Sequence, residues 1–222
     1  MDKETYPDER VVVLSKDLIF AKVNGKEDTL LAKQFKISGY PTAVMVNASG
    51  QEIDRLVGFY PAPEFAGAVT EYLNGINTLA SMEELYSRKS DDFDLNYKLG
   101  DKYLWRGEHE KAASCFQKAL ELDPENKTGR ADSAAHNFAM VSYQSEDYKR
   151  GVDDFRIAKE LFPNSPLSPD NDIYIAVCLE RAGMKKEAIA AYHYYLDTYP
   201  EGEDREYAQN HINQLMDQTK SK

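Results

Sequence analysis

Apolar and polar residues follow two different rhythms along this chain. From about residue 92 onward apolar positions recur at helical spacing, punctuated by Gly and Pro, and the pattern predicts helices throughout. Before residue 75 the pattern is mixed. Leu18-Ile19-Phe20-Ala21-Lys22-Val23 reads as a mostly buried strand, residues 24–28 as a turn, and Leu30, Leu31 and Phe35 share one face of a short helix. Residues 42–46 predict a second strand, Asn47-Ala48-Ser49-Gly50 a hairpin loop and residues 53–57 a returning strand. Pro63 opens a helix with Phe65, Val69 and Leu73 spaced along one face, and Asn74-Gly75 closes it. At the start, Pro7-Asp8-Glu9 reads as a helix entrance, whereas Val11-Val12-Val13 argues for a strand. Residues 76–92 are polar and lose the pattern. They read as a linker with room for a short helix at 82–88.

The helical half repeats itself. Leu99-Gly100, Tyr103, Gly107, Ala112, Phe116, Ala119 and Pro124 recur, more weakly, as Phe138, Ala139, Tyr148, Phe155, Ala158 and Pro163. They recur again as Ile175, Ala176, Leu179, Gly183, Ala188, Tyr192 and Pro200. The closing prolines stand 39 and 37 residues apart. Small residues such as Gly100 and Ala112 let paired helices approach, Phe116, Phe155 and Tyr192 fill the space between them, and Gly107 and Gly183 suit the turns. The spacing resembles the tetratricopeptide repeat, a helix–turn–helix unit of about 34 residues. The resemblance implies an all-α solenoid of three repeats at 93–126, 132–165 and 169–202. Tyr207, Ala208, His211, Ile212 and Leu215 would belong to a capping helix at 203–219. It also implies a groove on the first helix of each repeat, lined by Tyr97, Asp101, Leu104 and Trp105, by His136, Met140 and Tyr143, and by Ile173, Val177 and Glu180. Such a groove would take a protein or extended peptide. It lacks the Lys and Asn residues of the carboxylate-clamp members, and its negative charge favours basic or apolar segments. Trp105, the single tryptophan, has two equal readings: the groove, or packing against the first half or the linker.

The first 75 residues carry a second resemblance. Gly39-Tyr40-Pro41-Thr42 before a strand, and Gly58 after a hairpin, resemble the later part of a thioredoxin fold. Asp2, Thr5, Tyr6, Asp8 and Val11 are consistent with the end of that family's active-site helix. The resemblance implies an incomplete α/β thioredoxin-like domain over residues 1–75 with a cis bond before Pro41. Tyr40, Pro41 and Thr42 would form a loop that pairs with an extended substrate. The family's Cys-x-x-Cys pair has no counterpart here, and neither does the strand before it. The sequence is therefore expected to be a fragment of a thiol–disulfide oxidoreductase, redox-inactive as written, with Met1 an internal methionine or a wrongly chosen start. The alternative is a genuine start, a degenerate three-stranded domain and a non-catalytic adaptor function.

Composition narrows the partners. The 222 residues are 42% hydrophobic and 29% charged, as in globular proteins, and no apolar run reaches the length of a membrane span. With 27 basic and 38 acidic residues the net charge is −11, which disfavours nucleic acid and anionic membranes. Cys115 and Cys178 are read as small buried hydrophobes, and the four histidines show no metal-ligand spacing. No catalytic residue, metal or cofactor is expected. Compartment and oligomeric state stay open, an exported parent being one possibility raised by the resemblance.

Overall fold

The computed structural model describes residues 1–220, with side chains through residue 217. The chain divides into two compact units, Met1–Ser90 together with Trp105–Gly107, and Asp91–Leu104 together with the chain from Glu108 onward.

The first unit begins with a one-turn helix α1 (Glu9–Val12) that runs into a 3₁₀ turn (Val13–Lys16). Helix therefore prevails over strand at the valine run. The Asp8 side chain caps α1 by accepting from the Arg10 backbone N–H at 2.9 Å, and Val11 is buried. Helix α2 (Thr29–Gln34) is likewise capped by Asp28, which accepts from the Leu31 N–H at 3.0 Å. Strands β1 (Thr42–Val46) and β2 (Glu52–Val57) form an antiparallel hairpin, with Thr42 opposite Val57, Val44 opposite Arg55, and a register shift between Met45 and Val46. Helix α3 (Ala62–Leu73) covers it, and α4 (Leu79–Tyr86) lies within the stretch read as a linker. Val11, Leu14, Leu56, Phe65, Ala66, Val69 and Tyr72 make the core, with Ala43, Met45 and Leu18 packed on it.

One expected strand is absent. Residues 18–24 carry no regular structure, and Ile19 is 99% exposed with Phe20 at 48%. An apolar run becomes a strand only where a neighbouring strand accepts its backbone, and among the described residues none lies beside this one. The thioredoxin-like sheet is accordingly corrected to a two-stranded hairpin.

Polar groups bury themselves in this unit as well. Asp54 is fully buried and accepts from Arg106 Nη2 at 2.6 Å, from the Leu79 N–H at 2.7 Å and from the Arg55 N–H at 2.8 Å. Glu52 accepts from Arg55 Nε at 2.8 Å and pairs with Arg106 at 2.9 Å. The Arg55 guanidinium also donates to the carbonyls of Phe35 and Trp105, each at 2.8 Å. Every charge in the cluster meets an opposite one, the condition for burying ions without losing the fold.

The second unit is helical. Helices α5 (Phe93–Leu104) and α6 (His109–Leu122), α7 (Ala131–Gln144) and α8 (Tyr148–Leu161), and α9 (Ser168–Arg181) and α10 (Lys185–Thr198) form three hairpins. Helix α11 (Arg205–Lys220) follows on α10. Each helix packs on the next, and α5 also meets α7, so the first helices are neighbours. The aromatic at the same place in every repeat, Phe116, Phe155 and Tyr192, is fully buried. Opposite the first of them, a Cβ on Gly100 would lie 2.7 Å from the Phe116 ring, so a hydrogen there is what lets α5 and α6 close. Gly183, at φ +77°, turns α9 into α10.

Candidate functional site

Local chemistry fixes where each first helix starts. Asp92 Oδ1 accepts from the Leu95 N–H at 3.0 Å at the head of α5, Asn126 Oδ1 from the Ala131 N–H at 2.7 Å at the head of α7, and Pro169 stands in the first turn of α9. These starts set the phase of the residues expected to line a groove. The structure separates them into two sets. Leu104, Met140, Ile173 and Val177 are buried, so they pack inside the array; helix propensity and repeat phase alone could not say which side of a shared face is covered. Tyr97, Asp101, His136, Tyr143 and Glu180 are half-buried and keep part of their surface in solvent. Trp105 falls in the first unit, where the Cβ position of Gly39 is 3.5 Å from its ring, which favours the packing reading of that residue.

Rings surround the aromatic members of the half-buried set in two groups, one at Tyr97 and one at His136 and Tyr143. Tyr97 stacks on Phe93 at 6.1 Å, lies edge-on to Phe116, receives a hydrogen bond from Asn137 at 3.4 Å and has the Arg130 guanidinium 5.3 Å from its centroid. Arg130 also pairs with Asp94. His136 packs on Phe155 and Tyr174, and its Nδ1 is 2.8 Å from Asn171 Oδ1. Tyr143 meets Tyr174 at 5.1 Å and Tyr148 at 6.0 Å. Sequence phasing missed Tyr174, which stacks on Phe155 at 5.2 Å and touches both His136 and Tyr143; burial pushes its phenol up to about 12. Glu180 is turned to the chain's own needs, accepting from the Tyr192 hydroxyl at 2.7 Å and lying 2.8 Å from His211 Nδ1 on α11. The half-exposed side chains here are mainly aromatic, with Asp101 one turn beyond Tyr97 on α5.

The Tyr40-Pro41-Thr42 loop lies in the first unit. Its Tyr40–Pro41 bond is cis. The Thr42 hydroxyl donates to the Gly39 carbonyl at 2.7 Å, and the Pro41 carbonyl accepts from the Gly58 N–H at 2.8 Å, which closes the foot of the hairpin. Both cysteines lie in the helical unit and are buried; burial pushes the Cys115 thiol up to about 11 and the Cys178 thiol up to about 12. That is opposite to the depressed pKa a thiol-exchange nucleophile needs. Among the described residues, no cluster of three or more His, Cys, Asp or Glu is arranged to hold a metal, and no helix is long and apolar enough to cross a membrane.

Comparison with known proteins bears on the helical unit. Family models for the tetratricopeptide repeat match residues 94–126 and 172–202. No curated protein matches the chain. A putative kinesin light chain from Podosopora anserina, described as having nearly identical TPR-like repeats, is similar in structure at 12% identity. That likeness covers 70% of this chain and 81% of the other, with a TM-score of 0.52, and it speaks for the fold alone. MamA from Desulfovibrio magneticus RS-1 aligns at 17% identity over 72% of this chain and 88% of its own, with a TM-score of 0.46. YrrB, described as a TPR protein with an unusual peptide-binding site, aligns at 21% identity over 69% and 80%, with a TM-score of 0.45. Both family matches lie beyond residue 93, and nothing in these comparisons supports a thioredoxin-like part. The chain carries tetratricopeptide repeats, built as a mostly helical solenoid.

Proposed function

We propose that this protein is a non-catalytic adaptor whose tetratricopeptide array holds an extended, basic or apolar segment of a partner protein against its first helices. The observation that carries the reading is the half-exposed aromatic surface of Tyr97, His136 and Tyr143, with Asp101 beside it, on repeats of a protein-interaction family. Aromatic anchors supply large contact area at low conformational cost, which is why they dominate peptide-binding surfaces. The acidic surface adds long-range attraction for a basic segment.

The oxidoreductase reading has no such support. The chain contains no Cys-x-x-Cys, and its two thiols are buried with raised pKa values.

A panel of extended peptides of graded charge, titrated by fluorescence anisotropy, tests the proposal. Basic-apolar peptides should bind, and Asp101→Lys should weaken them about tenfold, the loss expected when an attractive charge becomes a repulsive one. Equal binding of acidic and basic peptides, unaffected by Asp101→Lys, would overturn it. So would insulin reduction by this chain that survives Cys115→Ser with Cys178→Ser.

A further inference from the structure

Helices α8, α9 and α10 border an open cleft of about 350 Å³, lined by Arg156, Lys159, Glu160, Asp172, Ile175, Ala191 and Tyr194. We propose that this cleft is a second binding site, for a small monocarboxylate with an aromatic or branched apolar body. Its volume falls at the lower end of the range of small-molecule pockets and suits a single ring better than a stretch of chain.

The floor of the cleft is pre-built. Lys159 Nζ lies 2.5 Å from Asp172 Oδ1 and 5.4 Å from the centre of the Tyr194 ring, and the other oxygen of Asp172 accepts from the Tyr199 hydroxyl at 2.7 Å. Asp172 is nine-tenths buried, so this arrangement holds Lys159 and, through it, one face of Tyr194. Ile175, buried, and Ala191, half-buried, supply an apolar surface beside the ring.

The rim chooses the charge. Arg156 stands on α8 one turn before Glu160 and is 56% exposed, and its pair with the exposed Asp153 is long, at 3.8 Å. A pair of that length between exposed groups is weak and yields readily. A carboxylate arriving with its apolar body on Ile175 and Ala191 can instead take two parallel hydrogen bonds from the guanidinium. Phosphates and dianions fit badly, because Glu160 and Asp172 bring as much negative charge as Arg156 and Lys159 bring positive. Cations fit badly as well, because Lys159 already occupies the ring face on which they would settle.

Phenylacetate is the probe, followed by two-dimensional amide NMR on the full chain, with phenylacetamide as its uncharged counterpart and inorganic phosphate as the alternative anion. Phenylacetate should shift amides of α8, α9 and α10 saturably with a dissociation constant of about 1–10 mM, as befits a ligand of about ten heavy atoms. Phenylacetamide and phosphate should bind at least about tenfold more weakly, the worth of a charge-assisted pair. Arg156→Gln, at an exposed position, should weaken phenylacetate to the level of the amide and leave the amide unchanged. Tyr194→Ala, at another exposed position, should weaken both. Absence of saturable shifts, shifts elsewhere in the chain, equal binding of acid and amide, or insensitivity to Arg156→Gln would each overturn the proposal.

Discussion

Single side chains in this protein carry readable energetic consequences. Asp123, just past the end of α6, accepts from the Thr128 hydroxyl at 2.6 Å, the Thr128 N–H at 2.8 Å and the Lys127 N–H at 2.7 Å. The Thr128 hydroxyl in particular holds its carboxyl below the ordinary value of 3.8. A depressed folded pKa means that the unfolded chain binds the proton first, so the stabilisation is complete above about pH 4 and lost as pH falls through the folded value. Urea midpoints of the wild type and Asp123→Asn should therefore differ at neutral pH and converge in acid. A difference independent of pH would show that the carboxylate charge is not what matters. Two glycines offer a contrast of opposite sign. Gly100→Ala puts a methyl 2.7 Å from the Phe116 ring and should destabilise the helical unit by about 1–3 kcal/mol. Gly67→Ala, on the exposed side of α3 with nothing within 4 Å, should stabilise the first unit by about 0.5–1 kcal/mol through helix propensity alone. Thermal melts with amide exchange resolve the two units.

At the scale of elements, what could be read from sequence depends on whether an element's partner is local. Helices α5 to α11 were legible because each meets its sequence neighbour, so apolar spacing and turn glycines carry nearly all of the information. The hairpin of β1 and β2 was legible for the same reason, with Asn47 and Gly50 marking its loop. Residues 18–23 were misread because strand formation depends on a neighbour that composition does not reveal, and α1 won locally over its valines through one aspartate cap. The repeat phase placed Tyr97, His136 and Tyr143 on the proposed face, and the structure leaves all three half-buried. It missed Tyr174, the neighbour of Ile173 on α9, whose ring contacts are set by the preceding helix pair. The buried ions of β2 were equally invisible, since Glu52, Asp54 and Arg55 look like surface charges until Arg106, fifty residues on, is placed beside them. That cluster makes a sharp prediction. Asp54→Ala takes the acceptor from the Leu79 N–H and leaves Arg106 with Glu52 as its carboxylate partner, and it should cost about 1–3 kcal/mol, the penalty for leaving a buried donor unsatisfied. Amide exchange should quicken across β1, β2 and the first turn of α4. Unchanged protection there would mean that solvent already reaches the cluster.

At the scale of the whole repeat array, stability should be additive from neighbour to neighbour, because each helix pair touches chiefly the pairs before and after it. The third pair, α9 and α10, turns an apolar face toward the chain that follows it. Here α11 covers that face. Ala208, Ile212 and Leu215 are buried, Tyr207 stacks on His211 at 4.1 Å, and both rings lie against Tyr192. Glu180 ties α9 to this cap through His211 and to α10 through Tyr192. Ile212→Asp places a charge in an apolar contact with no counter-ion, which should release α11 and uncover Tyr192 and Tyr195. In a nearest-neighbour array the loss stays at that end. Amide protection should fall in α9 and α10, fall less in α7 and α8, and stay near the wild-type level in α5 and α6. A uniform fall across all three pairs would show that the helical unit opens as one cooperative block, and the additive picture would then fail. A graded fall has a functional corollary that the same variant can test. Peptide binding through Tyr97 and Asp101 should persist after the cap is lost, while contacts that depend on Tyr143 and Tyr174 weaken with the third pair.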